Sequence, residues 1–171
     1  MKLFGQKSIS TYLFYGTRIA SLGSTLLALY IIFSFSFDNF EVNNGRFRIP
    51  FPLFSYFDLK GIYETSVITS IVLILLYIGV FLFSASMILK SFKSEVLFST
   101  NAIRNLNVFA VINLVAFPIF YVVLRIVILK VPIFGGLHNL FLSLVLGILM
   151  LFVSAIFKRG LKVQNENDLT I

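Results

Sequence analysis

Asn113, Phe117, Tyr121 and Arg125 follow one another four residues apart, a spacing that keeps them on one slowly drifting face of a helix. An amide, a phenol and a guanidinium on one face of an apolar stretch can do two things. They can hydrogen-bond a neighbouring helix, at an average of roughly 0.6 kcal/mol per contact in membranes. They can also line a path for a small solute. Pro118 lies between them and predicts a kink. Arg125 at a bilayer centre would cost about 2.5–3.5 kcal/mol on insertion scales, but it stands near the end of its stretch and can snorkel beside Lys130. Packing is therefore the simpler role for Asn113, Tyr121 and Arg125.

A second group has polar surface chemistry. Arg159, Gly160, Lys162, Glu166, Asn167, Asp168 and Leu169 put both charge signs on one short segment, which suits docking of a partner. If that tail is helical, Lys162 and Glu166 are i, i+4 neighbours in the less favourable charge order. In the preceding polar loop, Ser99 or Thr100 can accept a first-turn N–H as an N-cap, and Phe98 before it can act as a hydrophobic staple. Arg104 follows on the new helix.

Catalysis has no visible apparatus. The chain has no Cys and one His, His138, which excludes thiolate and His-based metal centres and pairs no nucleophile with a base. The charge-free runs carry no Asp, Glu or Lys for a proton-coupled path. The expectation is no metal, no cofactor and no enzyme activity.

The elements that position these groups follow from composition. Of the 171 residues, 58% are apolar and 12% charged, with 21 Phe; ordinary soluble domains carry about 25% charged residues. The net charge of +7 is scattered between apolar runs, as at the flanks of membrane helices, and not gathered on one face as nucleic-acid binding requires. Charge-free runs of about 20 residues span a bilayer. The runs predict spans at about 16–37, 65–89, 103–129 and 136–158, an outer loop at 38–64, an inner loop at 90–102 and a tail at 159–171. The fold class expected is an all-α four-helix transmembrane bundle, a single domain, with a short outer β-hairpin. Nine Lys/Arg lie on the side of the termini and five on the other, so the positive-inside rule puts both termini in the cytoplasm.

In the outer loop, Asn44-Gly45 between alternating residues signals a hairpin with a type I′ turn, and Pro50 and Pro52 stop its second strand. The aromatic segment 51–57 reads as an interfacial belt or lid, or more sharply as a site for an apolar ligand or peptide. Gly16, Ala20, Ser24 and Ala28 form a small-residue stripe on the first helix. Ser70, Tyr77 and Ser84 share a face of the second, and Gly136, Ser143, Gly147 and Ser154 a face of the fourth. Such stripes allow close helix approach, within the bundle or, for the first helix, in a homodimer.

The chain resembles an uncharacterised family of small four-span bacterial integral membrane proteins, a domain of unknown function. The resemblance rests on Phe157-Lys158-Arg159-Gly160 and on Glu166-Asn167-Asp168-Leu169-Thr170-Ile171, with a weaker match at Phe98, Ser99, Arg104 and Leu106. Where many members carry Asn, this chain has Ala102. The resemblance implies a membrane partner of a small cytoplasmic helix-turn-helix regulator, with no direct contact to nucleic acid, in the bacterial inner membrane; it brings no catalytic residues. The alternatives are a small-solute channel or transporter, and an envelope-stress or immunity protein using the outer loop.

Overall fold

The computed structural model describes residues 3, 5, 7–51, 58–94 and 96–168. Four long helices dominate it: α1 (Ile9–Ser36), α2 (Thr65–Lys93), a third span over Thr100–Ile128, and α5 (Leu137–Asp168). The third span is made of α3 (Thr100–Val111), a π turn (Ile112–Ala116), α4 (Phe117–Val122) and a second π turn (Val123–Ile128). Helices of 28 to 32 residues are roughly 42–48 Å long, more than the ~30 Å hydrocarbon core. α1 begins at Ile9, ahead of the expected residue 16, and α5 runs on through the tail to Asp168.

α1 packs along α2 through Ser21, Ser24, Ala28 and Ile31, spaced three and four residues apart. Small residues let the backbones meet. Ser21 Oγ donates to the Gly79 carbonyl at 2.8 Å and Ser24 Oγ to that of Leu75 at 2.6 Å. A Cβ on Gly79 would lie 2.6 Å from Thr25 Oγ1. Ser24 and Ala28 of the expected stripe join this contact, whereas Gly16 and Ala20 are exposed. A strict spacing of four drifts off the seam, which repeats every 3.5 residues.

α2, α3 and α5 converge near the chain ends. Ile88, Ala102, Leu106, Phe109 and Phe157 form a buried cluster there. At the opposite end Phe47 and Ile49 of the sheet bury against α1 and α2. The expected hairpin is present: β1 (Glu41–Asn43) pairs antiparallel with β2 (Arg46–Pro50). Asn44 and Gly45 take φ of 50° and 71°, as a type I′ turn requires, and β2 ends at Pro50.

A third strand, β3 (Asp58–Ile62), extends the hairpin to an antiparallel sheet in the order β1-β2-β3. It falls inside the expected outer loop, where Gly61 weakens any strand signal. Gly61 stands opposite Phe47, and a Cβ there would fall 2.6 Å from the Phe47 ring, so the glycine makes room for a fully buried aromatic. Within the aromatic segment only Phe51 is described, its ring tilted against Tyr30 with centroids 5.2 Å apart; the expectation of a lid or ligand site over residues 52–57 lies outside the described residues.

On the other face of the sheet, Arg48 Nε donates to Asp58 Oδ2 at 2.7 Å, and two further ion pairs, Arg48 with Glu41 and Lys60 with Asp58, each span 3.5 Å. The Arg48 hydrogen bond holds the Asp58 carboxyl below its ordinary range, with help from the charges of Arg48 and Lys60. The folded sheet therefore binds a proton less readily than the unfolded segment. The stabilisation is complete above the unfolded carboxylate value of about 3.9 and is lost as pH falls through the depressed folded value. Pepsin cleavage within 38–64, followed from about pH 5 to about pH 2, should rise more steeply for the wild type than for Asp58→Asn. Parallel curves would show that this carboxylate is not linked to sheet stability.

Candidate functional site: a groove at the sheet end and a helical tail

The third span is shaped by one missing donor. The Phe117 N–H reaches back five residues to the Ile112 carbonyl. The next donor in that register would be residue 118, a proline, which has no N–H. The Asn113 carbonyl is therefore left without a helical partner in a hydrocarbon setting, where an unmet backbone group is costly. Ser143 of α5 supplies the bond: its Oγ lies 2.9 Å from the Asn113 carbonyl and 3.1 Å from Asn113 Oδ1. The Asn113 amide nitrogen donates to the Phe109 carbonyl at 2.8 Å, and the residue is 1% exposed. At Pro118, where a kink is expected, the helix makes a π turn over Ile112–Ala116, and Asn113 hydrogen-bonds to Ser143 of α5.

Toward the sheet end, Tyr121 and Arg125 hold the turn that leads into α5. Tyr121 Oη is 2.8 Å from the carbonyls of both Ile133 and Gly135. Arg125 Nη2 donates to the Pro132 carbonyl at 2.7 Å. The Arg125 guanidinium lies where a Cβ on Gly135 would fall, and Gly136 takes φ of +102°, a conformation that favours glycine. Lys130, expected beside Arg125, is exposed with φ of 52° at the turn's start.

The helices that converge near the chain ends diverge here. Between α2 and α5, with the third span as floor, lies a groove of about 760 Å³. Asn113, Phe117, Tyr121 and Arg125 all line it, joined by Tyr77, Phe81, Asn139 and Leu142. Tyr77 stacks on Phe120 with centroids 4.8 Å apart. The structure thus brings the whole expected polar face to one cavity. It adds Ser143, Asn139 and the glycine turn; the regular spacing of Gly136, Ser143 and Gly147 marks a packing face without identifying its partner.

At the other end, the loop and tail motifs meet. Phe98 packs edge-on against Phe157 at 5.2 Å, and a Cβ on Gly160 would lie 2.7 Å from the Phe98 ring. Gly160 is small because Phe98 lies on it. Ser99 caps α3, accepting the Ala102 N–H at 3.2 Å, as expected. Asn105 and Asn107 tie α3 to its neighbours: Asn105 donates to the Met87 carbonyl at 3.1 Å, and Asn107 Oδ1 accepts from Ser154 Oγ at 2.7 Å. Arg104, Arg159, Lys162, Glu166 and Asn167 are exposed. Lys162 Nζ and Glu166 Oε1 form an i, i+4 ion pair at 3.7 Å. Leu169, like the Asp168 side chain and residues 170–171, lies outside the described residues.

Four apolar helices of membrane-crossing length, closed by a small sheet, define a multi-pass membrane protein. A family profile described as "Protein of unknown function (DUF2975)" matches residues 12–171, and the chain belongs to that family. No curated protein and no solved structure matches it.

Proposed function

We propose that the chain is a non-enzymatic anchor and sensor in the bacterial inner membrane, with both termini in the cytoplasm, and that its tail and inner loop hold a small helix-turn-helix regulator. The observation that carries this reading is the continuity of α5. One helix of 32 residues walls the groove at one end and projects its polar last turns beyond the hydrocarbon core at the other, since only about 20 residues are needed to cross. Those turns present Arg159, Lys162, Glu166 and Asn167 to solvent, and Arg104 of α3 is exposed as well. The excess of Lys/Arg at this end favours the cytoplasm.

This reading is preferred to a channel or transporter. A solute path along the Asn113–Arg125 face would have to continue past Ile88, Leu106, Phe109 and Phe157, which fill the space between α2, α3 and α5. Truncation after Lys158, with membrane insertion verified, is expected to abolish co-purification of a helix-turn-helix protein encoded beside it. Unchanged co-purification would overturn the tail's role.

A further inference from the structure

We propose that the groove between α2 and α5 binds a single-chain amphiphile with an anionic head, its head at Arg125 and its chain running along the third span toward Asn113. Three independent observations meet there. The first is a cation without a counter-ion. Among the described residues the Arg125 side chain has no ion pair and one hydrogen bond, to the Pro132 carbonyl, and its Nε is covered without a partner. Among the same residues, none that lines the groove is acidic. A guanidinium held at a membrane level by Gly135 and Pro132, with donors to spare, is a ready seat for a carboxylate or phosphate.

The second observation is the start of α5. Gly135 and Gly136 line the groove just ahead of Leu137, where a 32-residue helix begins. The unpaired N–H groups of a helix's first turn and the positive end of its dipole favour an anion. Of the polar groups in the first turn, the Asn139 N–H is already taken by the Gly136 carbonyl; Asn139 itself lines the cavity.

The third is length and lining. Arg125 and Asn113 are twelve positions apart, roughly 18 Å along a helix, close to the ~15 Å of one leaflet's hydrocarbon. The wall between them is apolar and aromatic, with Phe81, Phe117, Leu142 and Leu146. At the deep end Asn113 and Ser143 satisfy each other. A volume of about 760 Å³ falls in the roughly 300–1,000 Å³ range of small-ligand sites. An anionic head on a single chain complements this distribution. The site stands whether or not the tail binds a regulator.

The test is photo-cross-linking of the full-length protein in neutral detergent with a palmitate bearing a diazirine in its chain. Labelling should map to α2 and α5 around Phe81 and Leu142. Excess palmitate or lysophosphatidylglycerol should compete, and hexadecanol should not. Competition by one of the two anions identifies a carboxylate or a phosphate head; either result supports the site. Arg125→Gln, which removes the charge and keeps an amide donor, should reduce labelling about tenfold or more, the factor expected from loss of one charge-assisted contact. Asn139→Asp, a change compatible with a helix N-terminus, should reduce it comparably by placing a carboxylate in the groove. Equal competition by hexadecanol, or unchanged labelling in Asn139→Asp with a native elution profile, would overturn the proposal.

Discussion

Replacing Gly147 by Val is expected to destabilise the protein by about 3 kcal/mol, the upper end of the usual range for overpacking. A Cβ at this position would sit 2.5 Å from Leu114 Cγ and 3.2 Å from the Ala110 carbonyl oxygen. The side chain could turn aside, but the carbonyl belongs to the helix next door and cannot. α5 would have to back away from the third span, and the Ser143–Asn113 bond lies one turn away. At about 2–4 °C per kcal/mol for chains of this size, the melting temperature in detergent should fall by roughly 6–12 °C. Gly23→Val is the matched control, because nothing lies within 4 Å of a Cβ there. Equal shifts for both variants would mean that α5 and the third span are not in close contact.

The second large effect is a coupling. Ser143→Ala removes the donor that reaches the Asn113 carbonyl. An unmet buried acceptor costs about 1–3 kcal/mol, more than the average interhelical bond in a membrane. In a Pro118→Ala background, residue 118 regains an N–H and the Asn113 carbonyl regains a helical donor. Ser143→Ala should then cost less than half as much. The non-additivity expected for residues sharing one network is about 0.5–2 kcal/mol. Unfolding of the four proteins in mixed micelles closes the cycle; strictly additive losses would show that the carbonyl was never orphaned.

Much of this architecture is legible in the sequence. Membrane spans can be read because long charge-free apolar runs suit a bilayer and little else. The Asn44-Gly45 turn can be read because two adjacent positive φ values demand such residues. β3 cannot, since Asp58 and Gly61 make sense only beside Arg48 and Phe47 on the neighbouring strand. The polar face of the third helix shows in its spacing of four, yet whether Asn113 has a partner depends on α5, 30 positions away. Pro118 announces a disturbance without its form: the missing N–H frees a carbonyl, and the group that meets it stands on another helix. The tail motif and the inner-loop motif are separate patterns in the chain, and only the contact of Phe98 with Gly160 joins them.

The orphaned carbonyl also bears on how the protein is made. α1 and α2 complete each other: Thr17, Ser70 and Ser84 return their hydroxyl protons to carbonyls of their own helices, and Ser21 and Ser24 of α1 find theirs on α2. The third span has no such partner in the preceding chain for three of its polar groups: the donor for Asn113 and the acceptors for Tyr121 and Arg125 all lie in residues synthesised after it. Until α5 emerges, that span is a membrane segment with unmet polar groups in hydrocarbon. It is therefore best released into lipid together with α5, as a preassembled helical hairpin, which makes the final pair of crossings a single unit of biogenesis.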